Sequence, residues 1–328
     1  MDALTISVVV PAYNRADLIG QTLDAILAQD TPALEVIAVD DGSTDATPAV
    51  LDRYRPHVRT LRVPNGGDLA ARNTGLRAAS GRLVAFCDSD DLWRPGFLTA
   101  MSGLWRQTPD LVAAYGDFQI VRDGVWDGRT KFDDAPPGFW DGLRATGPGT
   151  AQFDGPIVGR LLGFQPFFPS AMVVDRVGFL AGGGWDEVAS RIVGTDFATA
   201  LRVAEQPLGI VLDALVGIRK HGSNFSGDVQ ATKLGEARIL EHLLATRSAL
   251  APLRLAVLAS IADRRATAAD LAFDRRDFAD VRRIQAMLPP GHLPAARRAK
   301  GWISRLPRPV AVRAADLASR LAARGGRD

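Results

Sequence analysis

Two carboxylates spaced two residues apart, Asp88 and Asp90, lie in the run Asp88-Ser89-Asp90-Asp91 directly after the apolar stretch 83–87. At the end of a buried strand, such a pair can aim oxygen ligands at one small region. Hard divalent cations such as Mg²⁺ or Mn²⁺ accept few protein carboxylates and complete their shell with phosphate oxygens and water. A diphosphate leaving group needs that neutralisation as its bond breaks. An Asp-x-Asp triplet in a solvated loop is the plain alternative.

Three further elements have the same form, a polar cluster behind an apolar run. Asp40-Asp41-Gly42-Ser43-Thr44-Asp45 follows residues 35–39, and a carboxylate there can accept a base N–H or a ribose hydroxyl. A turn with a helix cap would explain Ser43 and Asp45 equally well. Pro11-Ala12-Tyr13-Asn14 follows residues 6–10, and Tyr13 can stack on a base or simply belong to a strand-ending turn. Asn65-Gly66-Gly67 precedes Ala71-Arg72-Asn73-Thr74-Gly75, where Arg72 can reach a base or phosphate or serve a surface ion pair.

Positioning these clusters requires strands that end together. Ile6-Ser7-Val8-Val9-Val10 reads as a buried parallel strand stopped by Pro11. Residues 35–39, 58–63 and 83–87 read as three more strands, and residues 16–29 and 68–79 as helices, with another helix capped by Ser43 or Thr44. This βαβαβαβ alternation predicts a doubly wound, mostly parallel sheet, with ligands at the carboxyl ends of its strands. Residues 111–121 continue it. Residues 123–163, rich in Gly, Pro, Asp and Trp, read as a functional loop or mobile segment, and Trp126, Trp140, Phe164, Phe167 and Phe168 as a sugar platform or a local core. Regular structure returns at 170–174 and as a helix at 195–204. From Ala231 onward the pattern is helical; Phe278, Val281, Ile284 and Leu288 mark one amphipathic helix, and Asp274-Arg275-Arg276 the turn of a helical hairpin. The expected organisation is an α/β domain over 1–227, with nucleotide binding over residues 1–121 and acceptor binding over residues 122–227, followed by a helical region over 228–328.

The 328 residues are 47% apolar and 23% charged, an ordinary globular balance. Cys87 is the single cysteine, so no internal disulfide forms and a reducing compartment is expected. No signal peptide or long apolar span is apparent, so a cytoplasmic location is expected, with peripheral contact at the inner membrane face as its extension. The net charge is only +2, and no nucleic-acid partner is expected. The basic excess is local: nine Lys or Arg against two Asp from Arg297 onward. There Val310, Ala314, Leu317 and Leu321 form an apolar stripe bordered by Arg313, Arg320 and Arg324. That stripe suits either a membrane surface or packing on the preceding helices.

In their order and spacing these clusters resemble the inverting family 2 glycosyltransferases and their GT-A nucleotide-binding fold, over about residues 5–226. The resemblance implies that Pro11, Tyr13, Asn14, Asp40, Asp41, Arg72, Asp88 and Ser89 line the nucleotide, with a pyrimidine and hence UDP favoured. Asp88 and Asp90 would be the motif for Mg²⁺ or Mn²⁺ and the diphosphate. Gly183-Gly184-Trp185-Asp186-Glu187 and Thr195-Asp196 are similar to the family's acceptor-loop and base segments, which makes Asp196 the expected general base; Thr195 and Trp185 depart from the usual Glu and Phe. Arg219-Lys220-His221 through Ser226 is similar to a segment near the diphosphate, with His221 as a further metal or phosphate contact. The implied reaction is a single displacement onto a hydroxyl of a glycan or lipid-linked acceptor. A nucleotidyltransferase would want a glycine-rich basic loop at 8–15, and a nicotinamide oxidoreductase a G-x-G-x-x-G where Pro11-Ala12-Tyr13-Asn14 stands. A non-catalytic binding subunit has no need of Asp88, Asp90 and Asp196 together.

Overall fold

The computed structural model describes residues 4–187, 194–222, 228–289 and 294–325. Two compact units divide the chain; among the described residues the first holds 4–187 and 195–222, and the second 194, 228–289 and 294–325. The boundary expected near Gly227 falls outside the described residues.

The first unit is built on strand β1 (Ile6–Ala12), buried along its whole length. A β-branched run buried on both faces belongs at the centre of a parallel sheet, and β1 pairs in parallel with β2 (Glu35–Asp40) on one side and β4 (Leu83–Phe86) on the other. β3 (Val58–Arg62) extends the sheet beyond β2, giving the parallel order β3-β2-β1-β4. The chain order reverses between β1 and β4, and a crevice opens there at the carboxyl ends. Helix α1 (Ile19–Leu27) buries Ile19, Leu23 and Ile26, and α2 (Thr47–Arg53) follows β2. α3 (Asp68–Ala78) then leads back to β4.

Beyond β4 the sheet becomes mixed. After β5 (Leu92–Trp93) and α4 (Phe97–Gln107), β6 (Ala113–Arg122) runs parallel to the long β11 (Leu208–Arg219). β10 (Met172–Asp175) lies antiparallel between β4 and β6. The segment 123–163 is not the irregular loop expected of it. It holds β7 (Val125–Thr130), β8 (Leu143–Gly147), β9 (Thr150–Phe153) and α5 (Val158–Leu161). β7 pairs with β6, and β9 with β8 and β11. These strands are short and interrupted by glycine, so their alternation is weak, and long-range pairing supplies what local pattern lacks. β11 is likewise not announced by periodicity; its register against β6 shifts between Val211 and Val216.

The first unit is completed by α6 (Arg176–Ala181) and α7 (Asp196–Val203). The second unit is α8 (Val229–Thr246), α9 (Arg254–Asp274), α10 (Phe278–Gln285), α11 (Ala295–Ile303) and α12 (Arg308–Gly325). Asp228 and Asp277 cap α8 and α10, each accepting a backbone N–H three residues on. α9 and α10 form the expected hairpin, turned by Arg276 at φ 61°. Phe278, Val281 and Ile284 enter a core with Ala268, Ala272, Phe273, Ala311 and Ala315, while Leu288 lies past the helix end. No single helix among the described residues is long and apolar enough to cross a membrane.

Helix α3 lies close on the sheet because Gly75 has no side chain. A methyl there would press on both Val9 methyls and on Val39 Cγ2, well inside van der Waals contact. Gly75→Ala should therefore destabilise the first unit by about 1–3 kcal/mol through overpacking, read as a lower urea midpoint at unchanged slope.

Candidate active site

The ends of β1, β2 and β4 bring the polar clusters to one edge of the parallel sheet, where each carboxylate meets a different partner. After β4, Asp88 accepts from the Arg72 guanidinium at 2.6 Å. Asp90 Oδ2 lies 3.3 Å from Arg15 Nε and 3.0 Å from His221 Nε2. Asp91 is buried; one oxygen accepts from the Arg219 backbone N–H at 3.0 Å and the other from the Ser170 hydroxyl at 2.5 Å. Burial, then the charges of Asp90 and Asp88, push the Asp91 carboxyl well above the usual range. Ser170 Oγ also accepts from the Asp88 N–H at 3.0 Å. Ser89 is buried, and its carbonyl accepts from the Thr22 hydroxyl.

Arg72 sits in α3 with almost no exposure and reaches three carboxylates: Asp68 at 2.6 Å, Asp88 at 2.6 Å and Asp196 at 3.5 Å. Its guanidinium carbon is 4.9 Å from the centre of the Trp185 ring, within cation–π range. Arg72 Nε and Trp185 Nε1 are buried and have no hydrogen-bond partner among the described residues. The neighbouring residue, Asn73, holds the 184–187 segment. Its amide donates to the Trp185 carbonyl and to Glu187, and its oxygen accepts from the Trp185 N–H. Two adjacent residues of one helix thus fix both the acid motif after β4 and the segment preceding Asp196.

Asp196 is the first residue of α7. Its side chain is 34% exposed, so one face is open while protein crowds the other. That crowding pushes the carboxyl up to about 7; Arg72 opposes the shift, and Asp68 and Asp88 add to it. Asp88 is also raised by burial, with Arg72 opposing.

Several expected nucleotide residues have internal partners. Asp41 Oδ1 and Oδ2 accept from the Gly66 and Gly67 N–H groups at 2.8 and 2.9 Å, so Asp41 clamps that loop. Asn14, at φ 52°, accepts from the Thr44 and Asp45 N–H groups on its side-chain oxygen and donates its own N–H to the Ser43 hydroxyl oxygen, stapling the turn after β1 to the turn after β2. Asp40 accepts from Ser43 N–H at 2.9 Å and lies 3.4 Å from Arg62. Pro11 is buried in β1 opposite Val39. Tyr13 stands 45% exposed beside these turns.

The aromatic residues of the middle segment form a core rather than a platform. Phe167 stacks on Tyr115, Phe168 meets Phe118 edge-on, Trp140 packs on Phe132 and Phe153, and Phe164 meets Phe139. Trp126 lies under Arg94. Arg219 is structural as well: its side chain donates to the Asp90 carbonyl, Gln21, Leu18 and Thr22. Residues 223–226 of the same segment lie outside the described residues. Sequence reasoning did not find Arg15, Asp68, Asn73 or Ser170. Arg15, a cation directly after the β1 turn, carried the clearest signal.

Among the described residues, no group of three or more His, Cys, Asp or Glu side chains forms a self-contained metal site. Asp90 and His221 do converge at 3.0 Å, a carboxylate and an imidazole suited to Mn²⁺ or Mg²⁺ when phosphate oxygens and water complete the shell. The residues therefore fit a cation that arrives with a diphosphate.

Replacing Arg72 by Met would leave Asp68, Asp88 and Asp196 without their common cation. Because these carboxylates are partly exposed, the cost should be roughly 2–3 kcal/mol at pH 8, below that of breaking a fully buried pair. The deficit should shrink toward pH 5 as Asp196, raised to about 7, takes up a proton. Urea unfolding of the variant at the two pH values measures both effects.

Residues 7–154 match the model of glycosyl transferase family 2. The match contains the ends of β1, β2 and β4 and stops before Asp196 and His221. The putative teichuronic acid biosynthesis glycosyltransferase TuaG of Bacillus subtilis is 46% identical over 94 residues, 27% of this chain and 37% of that protein. An Escherichia coli relative, the UDP-Glc:alpha-D-GlcNAc-diphosphoundecaprenol beta-1,3-glucosyltransferase WfaP, is 33% identical over 125 residues, 37% of this chain and 48% of that protein. The chain thus spans under half the length of these curated relatives. Among solved structures, S. aureus TarS 1–349 in complex with UDP-GlcNAc superposes with a TM-score of 0.57 at 18% identity, covering 94% of this chain and 90% of that one. That likeness extends the shared fold beyond the matched segment. Residues 7–154, with the strand-end clusters inside them, are thus similar to glycosyl transferase family 2.

Proposed function

We propose that this chain is an inverting glycosyltransferase that moves a sugar from a nucleoside-diphosphate donor, UDP favoured, to a hydroxyl of a glycan or lipid-linked acceptor during polysaccharide or glycolipid assembly. The observation that carries the reading is the contact of one guanidinium, Arg72, with both Asp88 and Asp196. It puts a strand-end acid motif and a carboxylate of raised pKa within one side chain of each other. The UDP preference draws support from the UDP-GlcNAc complex of TarS and from the named donor of WfaP.

In this reading Asp196 removes the proton of the acceptor hydroxyl as the new C–O bond forms, and the bond from the sugar to the diphosphate breaks on the opposite face. A base near pKa 7 is matched to this task at neutral pH. Tyr13, with its exposed ring, is left for the nucleoside, while Asn14, Asp40 and Asp41 hold the loops around it. Asp90 and His221 would hold the divalent cation, which would supply neutralisation of the departing diphosphate. Arg15 keeps a second positive charge beside Asp90.

Asp196→Asn is nearly isosteric but accepts no proton. It should keep donor affinity and lose transfer by about 100-fold or more. Wild-type kcat/KM should rise with pH and level off above about 7, because Asp196 acts only when ionised. A UDP-release assay across pH 5.5–9 tests both; transfer at the wild-type rate by the Asn variant would assign the base elsewhere.

Mg²⁺ or Mn²⁺ should strengthen UDP binding in titration calorimetry, and Asp90→Ala should abolish that gain. Wild-type affinity for UDP that is indifferent to EDTA would remove the cation from the scheme.

A further inference from the structure

The face of α12 that the sequence marks as apolar is not the face that packs. Val310, Ala314 and Leu317 share one stripe, yet the helix is seated in the second unit through Ala311 and Ala315, which are fully buried. Val310 is left 50% exposed and Leu317 60%. Just before α12, Trp302 is 69% exposed, with Arg305 5.6 Å from its ring centre, and Leu306 is also exposed. The side chains of Leu321 and Arg324 lie outside the described residues.

Charge borders this stripe. Arg313 and Arg320 are exposed and fall beside Val310 and Leu317 on the helical projection. Among the described residues neither has an ion pair, and the same holds for Arg308 at the helix start. The one acid of α12 within the described residues, Asp316, is paired with Arg276 at 2.6 Å. Carboxylates therefore do not quench the arginines next to the apolar stripe. Long arginine stems can lie along apolar matter while their heads stay in a polar, anionic layer. Exposed tryptophan prefers the same boundary.

We propose that the face of α12 formed by Val310 and Leu317 with Arg313 and Arg320, preceded by the exposed Trp302 and Leu306, docks on an anionic lipid bilayer as an interfacial helix. A lipid surface fits better than a protein groove because the stripe is narrow and, among the described residues, its cations have no ion-pair partner. Shallow apolar insertion and diffuse negative charge satisfy both features, with no specific acceptor needed. The surface lies entirely in the helical unit and is independent of the glycosyl-transfer reading, so either can fail alone.

The test is co-sedimentation of the full chain with vesicles of phosphatidylcholine alone or with phosphatidylglycerol at one third. Wild-type protein should pellet with the anionic vesicles and stay in the supernatant with neutral ones, and moderate salt should release it. Val310→Glu/Leu317→Glu should abolish pelleting with an unchanged far-UV circular dichroism spectrum, since both side chains are exposed. Arg313→Gln/Arg320→Gln keeps the apolar stripe and should weaken partitioning about tenfold or more. Equal wild-type recovery from both vesicles overturns the proposal, as does pelleting that survives the Glu substitutions or partitioning that the Gln substitutions leave unchanged. Concentration-dependent self-association in sedimentation equilibrium, lost in the Glu variant and without lipid binding, would give the face to a second copy of the chain and overturn it too.

Discussion

A buried guanidinium that faces three carboxylates sets the terms for the rest of the first unit. Arg72 is removed from water, and a charge in that position persists only when it is paired. Asp68, Asp88 and Asp196 supply the pairing from α3 itself, from the end of β4 and from the start of α7. None of these can shift far without leaving charge uncompensated. The arrangement also carries more negative than positive charge, one reason Asp196 holds its proton so far above the ordinary carboxylate range.

The same requirement reaches back into packing. Arg72 and Asn73 occupy these positions only because α3 lies close against β1 and β2, and Gly75 permits that approach. Asn73 then holds the backbone of Trp185, whose ring covers Arg72. Helix packing, loop placement and charge compensation thus form one connected constraint.

Around the end of β4, three nearly adjacent acids play different parts because their surroundings differ. Asp88 faces the buried Arg72, Asp90 faces Arg15 and His221, and Asp91 points inward to Ser170 and the Arg219 backbone. Asp91 ties β11 to the loop and so holds His221 near Asp90. In the second unit small residues make the comparable choice: alanines at 311 and 315 allow close helix packing, which leaves the larger apolar side chains of α12 outside.

The strands β1, β2 and β4, the hairpin of α9 and α10, and the polar clusters at the strand ends were legible because their signals are local. A β-branched run, a proline or aspartate stop and a 3.6-residue period all act within a few neighbours. The strands of 123–163 and β11 were not legible, because their stability comes from partners far along the chain. The site divides in the same way. Residue type and spacing marked Asp88 and Asp90 as chemically able, and the family resemblance marked Asp196 and His221. That Asp41 and Asn14 turn inward to staple loops, that Arg15 joins Asp90, and that Arg72 bridges Asp88 to Asp196 were settled only by folding. Those contacts join residues 16 to 124 positions apart, and whether a polar side chain faces a ligand or a neighbour depends on which unsatisfied groups the fold brings beside it.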